Sequence, residues 1–139
     1  MFEVFPHKAD VGIKGIGKTI EEAFCEAAKA MFSVMVDLED VKAVGEIKVK
    51  IEAESLEELF ISWLNGLLSE AALEKALFNE FRVKIKKKRG GFILEGSALG
   101  EEIDSKKHNL KTEVKGATYS GLKITNKKGL CIAQCVLDV

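Results

Sequence analysis

The sequence predicts an α+β fold, a mainly antiparallel sheet with two main helices packed on it, in a single domain over residues 1–139. Three observations lead there. Two amphipathic stretches each open on a Ser/Thr-x-x-Glu capping box, the signature of a helix N-terminus. Most other apolar residues alternate with charged ones at a period of two, as half-buried strands do. The strand segments of the last third follow one another across short Gly-containing turns, which is hairpin spacing and not the spacing of parallel βαβ units.

The elements follow in chain order. Phe2, Val4 and Phe5 make an apolar start ahead of Pro6-His-Lys-Ala-Asp10. Val11 to Ile16 alternates apolar residues with lysine or glycine and predicts a strand. Gly17 and Lys18 turn the chain. Thr19-Ile-Glu-Glu22 then caps a helix, with Glu22 expected to reach back to the Thr19 amide. Ala23, Phe24, Ala27, Met31, Val34 and Met35 give that helix one apolar face over about four to five turns, fading at Val36-Asp37. Ile47, Val49 and Ile51 alternate with Lys48, Lys50 and Glu52 and predict a half-buried strand.

Ser55-Leu-Glu-Glu58 is the second capping box. Behind it Leu56, Leu59, Phe60, Trp63, Leu64, Leu67 and Leu68 repeat at i, i+3, i+4 and i+7, and the helix is expected to extend toward Leu77. A stripe of this kind is core and not a ligand box. Phe81, Val83 and Ile85 alternate with Arg82, Lys84 and Lys86, Arg89-Gly-Gly91 turns, and Phe92-Ile-Leu94 returns. A polar loop precedes three further strand segments, Thr112 to Tyr119, Leu122 to Asn126 and Leu130 to Val139, parted by Gly121 and by Lys127-Lys-Gly129. The tally is two helices and six or seven strands.

Of the 139 residues 47% are hydrophobic, enough for a core that needs no disulfide or metal staple. The charged fraction is 31% but the net charge is −1, so bulk charge gives no reason to expect non-specific nucleic-acid binding. No apolar run is long enough to span a bilayer, and MFEVFPHK lacks a signal peptide's basic start and apolar stretch. The expectation is a soluble, cytoplasmic protein. Cys25, Cys131 and Cys135 form neither a CxxC pair nor an even set, and read as small buried hydrophobes.

Four stretches could carry chemistry. His7 and Asp10 sit three apart beside the first alternating segment, a solvated pair unless partners come from elsewhere. Gly100-Glu-Glu-Ile-Asp-Ser-Lys-Lys-His108 supplies three carboxylates, two lysines and the second histidine, and reads as a polar loop or as a site for a cation and a phosphate. The chain closes on Cys-Val-Leu-Asp-Val139, apolar where termini are usually polar. Asp138 and the α-carboxylate of Val139 are hard oxygen donors suited to Ca²⁺, Mg²⁺ or Mn²⁺, and Asp10 could supply another. The basic run Lys84 to Arg89 has no interleaved aromatics, and reads as charge protecting a strand edge. There is no phosphate-binding loop and no nucleophile elbow.

Several of these stretches together resemble the archease family. PHKADVGIKGIGKTIEEAFCEAAKAMFSVMVD is similar to the family's N-terminal signature, GEEIDSKKHNLKTEVKGATYSGLKI to its central one and AQCVLDV to its carboxyl end, in order over nearly the whole chain. The resemblance implies an archease-like fold and a protein cofactor, not an enzyme. Its partner would be the RtcB-type tRNA-splicing RNA ligase, which uses GTP and Mn²⁺ to guanylylate its own histidine. The cofactor would accelerate guanylylation and sustain turnover, meeting tRNA only indirectly and no membrane. The resemblance implies a divalent-metal site at Asp10, Asp138 and the carboxylate of Val139, with calcium among the candidate ions. It makes His7, Asp104, Lys106 and His108 neighbours of that site or partner contacts. Lys111, Glu113 and Lys115 are motif residues without an assigned role. Ser120 stands where the family often has histidine and Leu130 where tryptophan is frequent. A chaperone, or a modulator of a tRNA-modifying methyltransferase, is the alternative role.

Overall fold

Both helices form where their caps are. The computed structural model describes residues 1–139. Helix α1 spans Ile20–Met35 behind Thr19, whose hydroxyl accepts the Glu22 N–H at 3.1 Å. Helix α2 spans Leu56–Glu74 behind Ser55, which accepts the Glu58 N–H at 3.1 Å. The returning carboxylates land one residue earlier than expected. Glu22 accepts from the Lys18 N–H at 2.7 Å and Glu58 from the Glu54 N–H at 3.1 Å, so each still satisfies a donor ahead of its helix.

The seven strands are β1 (Phe2–His7), β2 (Asp10–Gly17), β3 (Gly45–Ala53), β4 (Ala76–Lys88), β5 (Gly91–Glu102), β6 (Gly116–Lys127) and β7 (Leu130–Asp138). They form two antiparallel sheets, ordered β1-β2-β7-β6 and β3-β5-β4. Each sheet turns one face to the helices: α1 lies on β2, β7 and β4, and α2 on β6, β3 and β5. Both sheets and both helices contribute to one core of 25 buried residues.

Trp63 of α2 is at its centre. Its indole N–H donates to the Phe24 carbonyl of α1 at 3.1 Å, and its ring meets Phe81 of β4 edge-on with centroids 6.3 Å apart. The Phe24 and Phe60 rings meet at a tilt of 47° with centroids 5.0 Å apart. Large fully buried side chains of this kind contribute about 1.5–3 kcal/mol each through burial. Helix α1 approaches β2 closely at Gly15. A methyl there would overlap the Ala23 carbonyl and the Ala27 amide, so α1 can lie on β2 only over a glycine. No helix is long and apolar enough to cross a membrane.

The expected boundaries move at four places. The apolar start is a strand, β1, paired residue for residue with β2. Helix α2 stops at Glu74, and Lys75 caps it in the left-handed conformation (φ 50°, ψ 51°) with its N–H on Ala71 and Ala72. Leu77 belongs instead to β4, buried in a small separate cluster with Val36 and Val41. The segments at Thr112–Tyr119 and Leu122–Asn126 are one strand, β6, interrupted by an irregular register between Thr118 and Lys123 where Gly121 has φ 60°. Residues 111 and 112 lie outside it and donate their amides to the Met35 and Val34 carbonyls, which the end of α1 leaves unpaired. Finally, Gly100–Glu102 continue β5, so the polar loop starts at Ile103.

Candidate functional site

The β1–β2 hairpin closes on the pair His7–Asp10 across Lys8 and Ala9, with Lys8 at φ 56°. A two-residue hairpin turn demands that left-handed geometry, and glycine or asparagine usually supplies it. On the other side of β2, Val11 pairs with Leu137 of β7, and one further step of this register sets Asp10 across from Asp138. Asp138 in turn pairs with Gly116 of β6. His7, Asp10 and Asp138 therefore form a row across the end of the four-stranded sheet. Directly opposed residues share a face. Ile13, Ala133, Cys135 and Leu137 are in the core, so by alternation the row points to the outer face.

The backbone at the row is pinned. Lys115 N–H donates to the Asp138 carbonyl at 2.8 Å, and the side chain of Val139 packs against the core. The side chains of His7, Asp10 and Asp138 enter no hydrogen bond or ion pair with the rest of the chain. Like charges directly opposite on a sheet repel, and no lysine or arginine here neutralises them. No three His, Cys, Asp or Glu side chains converge closely enough to enclose a cation, so His7 borders the two carboxylates without completing a side-chain shell. Two hard oxygen donors on one face fit a Ca²⁺-, Mg²⁺- or Mn²⁺-type ion, provided that further oxygens come from the main chain, water or a partner.

The central loop is built around a different carboxylate. The Asp104 side chain accepts the Lys106 N–H at 3.0 Å, and its carbonyl accepts the amides of Lys107 and His108, making a tight turn. The Asp104 N–H donates to Nδ1 of His108 at 2.9 Å. Nδ1 therefore accepts, the proton of the neutral ring sits on Nε2, and Nε2 donates to Glu101 at 3.0 Å. Glu101 also accepts from Lys107 Nζ and from the Lys42 N–H. Lys107 first, then the Lys42 amide and His108, hold its carboxyl down at about 2. The His108 side chain is wholly buried, pinning the loop to the end of β5. No hydrogen bond or ion pair joins Asp104, Lys106 or His108 to His7, Asp10 or Asp138. Of the motif residues, Lys111 pairs with Asp37 at 3.1 Å.

One positioning residue escaped the sequence reading. Asn65 of α2 accepts the Ala117 N–H at 2.8 Å and donates to the Ala117 carbonyl at 3.1 Å, clamping β6 next to Gly116 and hence next to Asp138. Its only signal was a polar residue set among the apolar positions of α2. The cysteines are free. Cys135 is buried and Cys25 half-buried, and burial pushes both thiols up to about 12, where they are inert as nucleophiles.

The profile of the Archease protein family (MTH1598/TM1083) matches residues 2–139. The protein archease of Pyrococcus furiosus is 42% identical over 139 residues, covering 99% of this chain and 98% of that one. That of Sulfurisphaera tokodaii is 41% identical over 138 residues, with the same coverage. Among solved structures, protein 1598 of Methanobacterium thermoautotrophicum superposes with a TM-score of 0.88 at 40% identity, covering 99% and 98% of the two chains. An archease of Thermotoga maritima, described as a possible chaperone, shares the fold with a TM-score of 0.58 at 19% identity over 97% and 94%. End-to-end agreement of sequence and fold, with both halves of the carboxylate row inside the matched span, makes this chain a member of the archease family.

Proposed function

We propose that this protein activates an RtcB-type tRNA-splicing RNA ligase, speeding its GTP-dependent guanylylation and its turnover, and is not itself a catalyst. The observation that carries the reading is the pair of unneutralised carboxylates, Asp10 and Asp138, opposed at the end of β2 and β7 in an archease chain. In this reading they bind a divalent cation, and the α-carboxylate of Val139 adds a third oxygen. His7, on the next strand of the same row, orients Asp10 or contacts the ligase. When bound, the cation supplies positive charge that offsets charge developing on the GTP phosphates. The β1–β2 turn and the Lys115–Asp138 bond hold the donors on rigid strands. The Glu101–His108 pin holds the central loop in one conformation for docking. The protein meets the ligase directly.

The test is multiple-turnover ligation and single-turnover guanylylation by the cognate ligase, with and without this protein. Wild type should raise both rates, and Asp10→Ala and Asp138→Ala should each remove at least nine-tenths of the stimulation, about 1.4 kcal/mol in the barrier. Undiminished stimulation by both variants would refute the metal-borne role. A chaperone-type role is the second reading, favoured by the exposed Val44, Leu73, Ile103 and Leu110. Suppression of a client's aggregation that survives both substitutions would support it.

A further inference from the structure

We propose that the outer face of the three-stranded sheet binds the phosphate backbone of double-stranded RNA. On this face Ser97 of the central strand β5 is flanked by Lys48 of β3 and Arg82 of β4, and Glu95 is flanked by Lys50 and Lys84. These six residues line an open depression of about 600 Å³. None of the four cations is in an ion pair, and Glu95 is the depression's single carboxylate. The other acids of the face sit at its ends: Glu52 is held by Lys88 at 3.2 Å and Glu101 by Lys107, and Glu46 and Glu80 lie beyond Ser97, opposite Leu99. A chain of net charge −1 thus gathers unpaired positive charge on one sheet face.

Edge protection explains lysines on β3 and β4, since both are edge strands. It does not explain why they stand in two facing rows above a central strand with one acid, where like charges repel. A polyanion removes that repulsion. Same-face cations on one strand recur roughly every 7 Å, and the two rows are roughly 10 Å apart, a grid suited to charges regularly spaced on a scaffold.

The chemistry of the face selects the polyanion. Protein interfaces are anchored by buried aromatic and apolar side chains and are depleted in lysine. None of the large exposed apolar side chains lies on this face. Nucleic-acid interfaces are polar, positively charged and wet. The depression contains no aromatic ring on which an unpaired base could stack, so the target is the backbone of a duplex and not a single strand. The choice of RNA over DNA rests on the ligase reading above; the phosphate chemistry does not.

The test is fluorescence anisotropy of a short RNA duplex with the full chain alone, across a salt series. Four phosphate contacts give a slope of log K against log salt of about −3 to −4, a roughly hundredfold loss between about 50 and 200 mM. Replacing Lys48, Lys50, Arg82 and Lys84 together by Gln should abolish binding. The same charge change at Lys18, Lys123, Lys127 and Lys128 should alter it less than about threefold. Glu95→Gln, which removes a repulsive charge at a solvent-facing position, should tighten binding severalfold and covers the case in which the quadruple variant misfolds. The proposal is overturned by absence of binding at low salt, by equal losses in the two quadruple variants, or by preference for single-stranded RNA or polyglutamate over the duplex. Guanylylation consumes no RNA, so its stimulation should be the same for wild type and the Lys48/Lys50/Arg82/Lys84 variant. No RNA binding with stimulation intact overturns this proposal alone, and no stimulation by wild type with RNA binding intact overturns the ligase reading alone.

Discussion

Replacing Asp10 by Asn should change the protein's stability in opposite directions with and without a divalent cation. In chelator, the opposed carboxylates of Asp10 and Asp138 repel with no cationic side chain between them. Directly opposed side chains are about 5 Å apart at Cβ. At about 6 Å between charges in a water-like dielectric the repulsion is about 0.7 kcal/mol before salt screening. Asp10→Asn removes it and should raise the metal-free stability by about 0.3–0.7 kcal/mol, one or two degrees in Tm for a chain of this length. A cation at a hundredfold its Kd adds about 2.7 kcal/mol to wild type, roughly 10 °C, and should add little to the variant. The assay is thermal or urea unfolding of both proteins in EDTA and in Ca²⁺, Mg²⁺ or Mn²⁺. A wild-type Tm that ignores all three ions, or a variant less stable than wild type in EDTA, would refute the reasoning.

Three further outcomes follow from the packing and the loop. Gly15→Ala should cost about 3 kcal/mol or more, because the new methyl meets the backbone of α1 and not a side chain that can swing away; urea unfolding with an unchanged midpoint would show that α1 can lift off β2 freely. Lys75→Gly should stabilise by about 1 kcal/mol by relieving a left-handed C-cap (φ 50°), and a lower midpoint would contradict it. The Glu101 carboxyl is lowered to about 2 from 4.5. Its contribution is therefore complete above pH 4.5 and is lost as pH falls from 4.5 through 2. The protection of the Lys42 and Asp104 amides, corrected for the intrinsic pH dependence of exchange, should fall across that window, and Glu101→Gln should abolish that fall; protection of Lys42 that stays constant to pH 2 would contradict it.

How far the sequence could be read depended on how local each cause was. Thr19 and Ser55 announced both helices because a cap needs only its next three residues. The end of α2 was misplaced because the apolar Leu77 fits a helical period, and only its burial beside Val36 and Val41 assigns it to a strand. β6 was divided in two because a glycine inside a strand and a glycine between strands look alike in one dimension. The tally of six or seven strands meets the observed seven only through compensation, the unrecognised β1 replacing the divided β6. Asp10 and Asp138 were each visible as hard donors, but their pairing came from family resemblance, since the β2–β7 register joins opposite ends of the chain. His108 was grouped with the site through the family's central motif; its burial could not be read locally, because it depends on Glu101, and Glu101 in turn on the Lys42 amide. Asn65 was unreadable for the same reason: its partner, Ala117, has no distinguishing side chain.

That asparagine has a consequence for the free edge of the four-stranded sheet. β6 is an outer strand, with a row of donors and acceptors that a stranger's backbone could match. At Ala117 the carboxamide of Asn65 already occupies both bonding positions, accepting and donating as the next strand would. A single side chain thus impersonates one residue of an absent strand and closes the edge beside the carboxylate row. An extended segment zipping along β6 would have to stop there or displace it.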